Sequence, residues 1–134
     1  MKTFLSTIGL MILAALPAQA DQWDALREDE RVHNGLLVIA IGAHIHETCP
    51  DIEARSIASM SFMIGLARHA MSLGYSRDEL RAYIDDETER ERYFNLARAY
   101  FAQNGVTSEE DVEGACRVGR QEIADRTPVG RLLH

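Results

Sequence analysis

Apolar residues along the chain fall into helical patterns separated by turn residues. The longest apolar run after residue 20 spans Leu36 to Ile45. Its β-branched residues would allow a strand, but no second strand-like run is available to pair with it. We therefore predict a helix from about Asn34 to Thr48 that is apolar nearly all round and central in the fold. Pro50 ends it.

A second helix is predicted from about Asp51 to Leu73. The polar pair Arg68-His69 is expected at its outer edge, and Gly74 fits a left-handed cap at its C-terminus. Its apolar residues recur at three- and four-residue spacing: Ile52, Ile57, Met60, Ile64, Ala67 and Met71.

A third helix is predicted to begin with a capping box. Ser76 and Glu79 have the spacing at which each side chain bonds the backbone N–H of the other residue. The helix is expected to break at residues 85–86, to resume, and to end at the Asn-Gly pair 104–105.

This third segment also carries charged and aromatic residues. The run 85–92 mixes acids and arginines at helical spacing, which is typical of a solvated helix face. The aromatic residues after it could line a ligand pocket, but their spacing favours packing in the core. They are Tyr93, Phe94, Tyr100 and Phe101.

A last helix is predicted from Thr107 or Ser108 to about Asp125. The acids at 109–111 are favourable near its positive end. The short, partly apolar tail after Pro128 is expected to dock back on the helices. The whole pattern predicts an all-α fold, a small single-domain helical bundle of about four to five helices.

The start of the chain has the pattern of an export signal. Lys2 precedes an apolar stretch over residues 8–16, and Ala18 and Ala20 supply the small side chains that signal peptidase requires. Cleavage is expected before Asp21. The alternative, an uncleaved membrane anchor, needs about 20 apolar residues, and this stretch is shorter.

These features divide the chain into a cleaved signal peptide over residues 1–20 and a helical periplasmic domain over residues 21–134. The domain holds 13 arginines and 21 acidic residues, a formal charge of −8, and Lys2 is the only lysine of the whole chain. The negative charge disfavours nucleic acid as a partner. The missing lysine excludes Schiff-base chemistry and a P-loop. No cofactor is predicted.

Cys49 and Cys116 are the two cysteines. In an oxidising compartment an even pair indicates a disulfide, and two cysteines allow one connectivity. A metal-binding thiolate pair and a redox-active pair are the alternatives, although redox catalysis usually uses closely spaced cysteines such as C-x-x-C, which the chain lacks.

One cluster has the residue types of a metal site. His44, His46 and Glu47 precede Cys49 as H-x-H-E-x-C. The zinc protease motif H-E-x-x-H is not met, because Pro50 stands where the second histidine is needed. An oxidised Cys49 could not be a ligand, so the three other residues would need a distant partner. They remain weak candidates for metal binding.

Four segments carry a resemblance to a known family: Asn34-Gly35-Leu36-Leu37 with the following Cys49, Leu73-Gly74-Tyr75, the stretch from Cys116 to Ala124, and the stretch from Val129 to Leu133. The chain resembles the small exported alphaproteobacterial proteins of domain-of-unknown-function family 5333. The similarity covers nearly all of residues 21–134, and Cys-x-x-Gly-x-x-Glu-Ile is its most specific part. The family has no established activity, so the resemblance assigns no chemistry to any residue.

The interpretation that fits these observations best is a non-enzymatic binding or accessory module of the cell envelope. Its partner is expected to be another envelope protein, and no transmembrane anchor is expected after cleavage. One alternative is an acid-stress chaperone, because the many carboxylates would lose charge and the histidines would gain it at low pH. Another is an enzyme that uses His44, His46 and Glu47, with or without a metal.

Overall fold

The computed structural model describes residues 21–134. The predicted signal peptide over residues 1–20, with Ala18 and Ala20 at its cleavage site, lies outside the described residues. Asp21 is the first residue within them.

Six α-helices and one 3₁₀ turn make up this part of the chain. They are α1 (Asp24–Glu28), α2 (Glu30–Thr48), α3 (Ser56–Ser72), α4 (Arg77–Asp85), α5 (Glu87–Gln103), α6 (Val112–Asp125) and a 3₁₀ turn over Gly130–Leu132. In this range no helix is long and apolar enough to cross a bilayer. The predicted all-α domain is confirmed, with six helices where the sequence indicated four to five.

Helix α2 begins four residues earlier than predicted. The Asp29 side chain accepts a hydrogen bond from the Val32 backbone N–H at 2.8 Å and so caps the helix at Glu30. The helix continues through Gly35 because this residue lies against α3. A Cβ added at Gly35 would lie 2.7 Å from Leu66 Cδ1, so the glycine permits the close approach of the two helices.

The predicted boundaries around α3, α4 and α5 are correct in four places and wrong in one. The Ser76–Glu79 capping box is present, Gly74 has a φ of 102° after α3, Asp86 separates α4 from α5, and Gly105 follows the end of α5 with a φ of 79°. Helix α3, however, begins at Ser56 and not near residue 51.

The late start of α3 has a cause in the C-terminal tail. The backbone of Glu53 exchanges hydrogen bonds with His134, and the Arg55 N–H donates to the Leu132 carbonyl. Ala54 and Leu133 thereby form an isolated antiparallel bridge. The segment before α3 is held extended by these bonds, and the expected docking of the tail is confirmed.

Helix α6 also starts later than predicted. Its N-cap is Asp111, which accepts from the Gly114 N–H, and the acidic residues before it form a turn in which Ser108 accepts from the Glu110 N–H. A residue in the left-handed conformation, Arg126, ends the helix.

Helix α2 lies at the centre, and α1, α3, α5 and α6 all pack against it. Two buried clusters result. One joins α2, α5 and α6 around Ile45, Phe101 and the two cysteines. The other joins α1 to α5 around Trp23 and Tyr83, whose ring centroids are 5.4 Å apart.

A disulfide joins Cys49 at the C-terminal end of α2 to Cys116 in α6, with the two Cα atoms 5.0 Å apart. The predicted pairing is confirmed. Closing a loop with a sequence separation of 67 residues contributes roughly 4 kcal/mol in the chain-entropy model.

The contact of α6 with α2 depends on Gly119 as well as on the disulfide. A Cβ at this position would lie 2.5 Å from Ile52 Cδ1 and 2.6 Å from Ile45 Cγ2, and both isoleucines are buried. Three residues further on, the Glu122 carboxylate accepts hydrogen bonds from Tyr100 and Thr127. The Cys-x-x-Gly-x-x-Glu-Ile stretch therefore has a structural role, which is to fix α6 on the core.

We expect Gly119→Ala to lower the free energy of unfolding by about 1–3 kcal/mol, because the methyl group overpacks a buried contact. Gly65→Ala is the matched control. Gly65 also lies in a helix, but a Cβ there meets nothing within 4 Å, so this change should stabilise the protein by about 0.5–1 kcal/mol. Urea denaturation measures both. Equal effects of the two substitutions would contradict the packing argument.

Candidate functional site

The candidate site is an open groove on α2, bounded by α3, α4 and α5. Its volume is about 860 Å³, within the usual range of ligand sites, and its lining is mainly apolar. We call it the α2 groove.

The floor of the α2 groove is a stripe of α2. Leu36, Ile39, Ala40 and Ala43 line it, and their spacing places them on one face of the helix over about 11 Å. A second cavity of about 590 Å³ shares Ala40, Ala43 and Phe94 with the groove and so continues it toward the C-terminal end of α2.

The walls of the α2 groove are large apolar side chains that stay partly in solvent. Met63 and Ile64 of α3, Ile84 of α4 and Phe94 of α5 are each between 45% and 51% exposed. Single exposed apolar residues are ordinary on a protein surface, but four around one concavity form a patch of the kind that marks interaction sites.

Four arginines lie at one end of the groove. Arg68 of α3, Arg77 and Arg81 of α4 and Arg90 of α5 line it and are exposed. None of the four is within ion-pair distance of a carboxylate in the described part of the chain. Arg90 lies over the Phe94 ring, 5.9 Å from its centroid. In a domain with a formal charge of −8, four cations without a carboxylate partner at one site are a marked local excess of positive charge.

Glu89 is the one acidic residue that lines the α2 groove, and two arginines outside the lining neutralise its charge. Glu89 is 2% exposed, and its Oε1 accepts hydrogen bonds from Arg27 Nη2 at 2.5 Å and Arg27 Nε at 2.9 Å. Its Oε2 lies 3.2 Å from Arg92 Nε as an ion pair, although the pair lacks hydrogen-bond geometry. The hydrogen bonds to Glu89 raise the pKa of Arg27.

Two buried tyrosines complete the base of the groove. The hydroxyls of Tyr83 and Tyr93 are 3.4 Å apart. Burial raises the pKa of both phenols, more strongly for Tyr83, and the nearby Glu89 adds to the effect. Both tyrosines are therefore neutral hydrogen-bonding groups, unsuited to act as bases near pH 7.

The histidine cluster beside Cys49 is spread over different surroundings. His44 lies against Phe101, with ring centroids 4.6 Å apart, and lines the second cavity together with Glu47. His46 is exposed, and its Nδ1 is 3.4 Å from the Ile52 carbonyl oxygen. Among residues 21–134, no three His, Cys, Asp or Glu side chains are placed to hold a metal ion.

His69 was expected at the outer edge of its helix, and that expectation is wrong. Its Nε2 lies 2.9 Å from both carboxylate oxygens of Asp29, so it ties α3 to the capping residue of α2. The backbone N–H of Val32 and then the His69 side chain hold the pKa of Asp29 below its usual value. Arg68, the neighbour of His69, is exposed as expected.

The helical patterns of the sequence predict the helices around the groove but do not predict the groove itself. The α3 stripe at three- and four-residue spacing is largely exposed, with Ile57 at 86% and Met60 at 59%, because α3 packs through Leu66 and Ala70.

Two further residues differ from expectation in their burial. Phe94 was expected in the core and is half exposed, whereas Tyr93 and Phe101 are buried as predicted. The charge pattern of residues 85–92 predicts a solvated face, but Glu89 is buried. Helical spacing alone carried no signal for either difference.

The fold and the groove define residues 21–134 as a helical domain that is closed by one disulfide and carries an open apolar groove. The chain belongs to the family of unknown function DUF5333, whose model matches residues 24–134. This confirms the predicted membership of domain-of-unknown-function family 5333. No curated protein and no solved structure matches the chain.

The hydrogen bonds of Asp29 with the Val32 backbone N–H and with His69 predict a dependence of stability on pH. Because the folded-state pKa of Asp29 is lowered, its stabilisation is present above the unfolded pKa of about 3.9 and is lost as the pH falls through the folded value. Asp29→Asn keeps a capping side chain but removes this titration. Between pH 5 and 3 (about one unit either side of that unfolded pKa), the free energy of unfolding should fall in both proteins. The fall should be smaller in the variant by on the order of 1 kcal/mol.

Urea denaturation across this pH range makes the comparison. The exposed Asp85→Asn is the control and should follow the unsubstituted protein. An equal acid-induced loss in Asp29→Asn and the unsubstituted protein would show that the Asp29 contact does not carry the effect.

Proposed function

We propose that the chain is an exported accessory protein of the cell envelope, whose domain over residues 21–134 binds another protein through the α2 groove. The observation that carries this proposal is the open apolar concavity. Its four half-exposed wall residues lie above a helix that has no polar residue from Gly35 to Ala43. Covering such a surface is favourable by roughly 25 cal/mol per Å² of apolar area.

Export and cleavage before Asp21 are part of the same proposal. The charge, apolar stretch and small residues of positions 1–20 support it. The disulfide supports it too, because such bonds persist in oxidising compartments and are rare in the cytosol.

Binding without catalysis fits the chemistry of the groove. Its lining residues are apolar side chains, exposed arginines, and one carboxylate that two arginines already neutralise. The two phenols at its base are held neutral. A general base or an activated nucleophile would need a titratable group poised near neutral pH, and burial moves the pKa values of both phenols further from it. The groove is also open with all six helices in place, so a partner can enter without acid-induced opening.

Site-specific photocrosslinking in cells tests the proposal. A photoreactive phenylalanine analogue replaces Phe94 in the groove or, as the matched control, the exposed Gln121 on the outer face of α6. We expect an adduct with one other envelope protein from position 94 and none from position 121. No adduct from position 94, or the same adducts from both positions, would contradict the proposed binding function.

The same cells test export. The uncrosslinked protein should be recovered from the periplasmic fraction with an intact mass that begins at Asp21 and includes one disulfide. Protein that keeps residues 1–20 or stays in the cytoplasm would contradict this part of the proposal.

A further inference from the structure

The α2 groove has the shape of a missing helix in a bundle. Its floor is one stripe of α2, and α3 and α5 both pack on α2 while α4 connects them. A helix laid in such a groove places residues at i, i+3, i+4 and i+7 on the stripe formed by Leu36, Ile39, Ala40 and Ala43. A flat bilayer surface would leave this concavity unfilled.

The charges along the groove are not evenly distributed. Arg77 and Arg81 lie on α4, so the positive end of the groove is the end that α4 closes. The second cavity at the other end is lined by Glu47, Glu109 and Arg98, and this arginine is already paired with Glu109 and Glu91. Electrostatic complementarity therefore favours an occupant with acidic side chains at the α4 end alone.

The way α4 is built sharpens this preference. Arg77 and Arg81 are one helical turn apart and both line the groove, whereas the acids of the same helix, Asp78, Glu79 and Asp85, are absent from the lining. Helix α4 thus segregates its charges by face and presents the positive side to the groove.

We propose that the α2 groove binds an amphipathic helix of another protein, with an apolar stripe on α2 and Asp or Glu side chains paired with Arg77, Arg81 and Arg90 at the α4 end. This deepens the proposed function and rests on it. A second copy of this chain is a poorer occupant, because its exposed apolar helix α3 contains no acidic residue that could meet these arginines.

A displayed library of amphipathic peptides tests the proposal even though the natural partner is unidentified. Each peptide is about 18 residues, or about 27 Å of helix, with apolar residues fixed at i, i+3, i+4 and i+7 and the flanking positions randomised. The bait is the disulfide-bonded protein obtained by expressing the full chain. We expect selected peptides to carry an excess of Asp and Glu clustered at one end.

Three variants test the specificity of the selection. Arg81→Glu with Arg90→Glu should weaken the selected peptides by at least about tenfold, since it reverses the charge of the groove's positive end. Arg31→Glu with Arg120→Glu, two exposed arginines outside the groove lining, should leave their affinity unchanged. Ala43→Trp should abolish binding, because Ala43 lines both cavities and is exposed enough to accept a larger side chain.

Selected peptides without an acidic excess, or with affinities that the Arg81/Arg90 reversal does not change, would overturn the proposal. So would a selection that gives no peptide above the Ala43→Trp background. If the protein floats with vesicles of one-third anionic phospholipid and the Arg81/Arg90 reversal abolishes this flotation, the arginines bind a membrane surface. That result would also overturn the proposal. If position 94 still gives an adduct in cells in any of these cases, the proposed binding function stands. Only the helical, acidic occupant is then rejected.

Discussion

Helix α2 is apolar on nearly every face, and the rest of the structure is arranged to cover it. Apolar surface is stable only when removed from water, so a helix without a polar side from Gly35 to Ala43 requires neighbours all round. Helices α1, α3, α5 and α6 provide them. The stripe from Leu36 to Ala43 is the part that these neighbours leave open, and the α2 groove follows from that incomplete coverage.

The connections around α2 hold the groove in this form. The disulfide and Gly119 bring α6 against one side of α2, while Arg27 joins α1 to α5 through the buried Glu89. Removing Arg27 would leave the buried Glu89 with Arg92 alone, and breaking a buried ion pair typically costs about 3–5 kcal/mol. The disulfide and Gly119 act on the side of α2 away from the groove, and the Arg27–Glu89 pair lies beneath the groove. The walls of the groove therefore remain free to contact a partner.

The sequence predicted the helices well because local signals define them. The Ser76–Glu79 capping box, the glycines at the ends of α3 and α5, and the cysteine pair all act within one turn or through a single possible connectivity. The start of α3 was missed because it depends on hydrogen bonds with the C-terminal tail, a contact between residues far apart in the chain.

The groove could not be predicted for a related reason. A helical stripe shows which residues share a face, but it does not show whether that face meets the core, and α3 buries the face through Leu66 and exposes the one with Ile57. Likewise, no local pattern separates a buried Glu89 from the solvated acids around it, because Arg27 is 62 residues away. The arginines around the groove come from three helices and share a site only in the folded protein.

The central claim is that a partner covers the α2 groove in the cell, and two methionines of α3 allow a direct test. Met63 lines the groove and is 49% exposed, whereas Met60 is 59% exposed and lies outside the lining. Hydroxyl-radical oxidation, read by mass spectrometry, compares the two in intact cells and in the purified protein. The account predicts that Met63 is protected relative to Met60 in cells and that the difference is lost on purification. An unchanged ratio of Met63 to Met60 oxidation would contradict it.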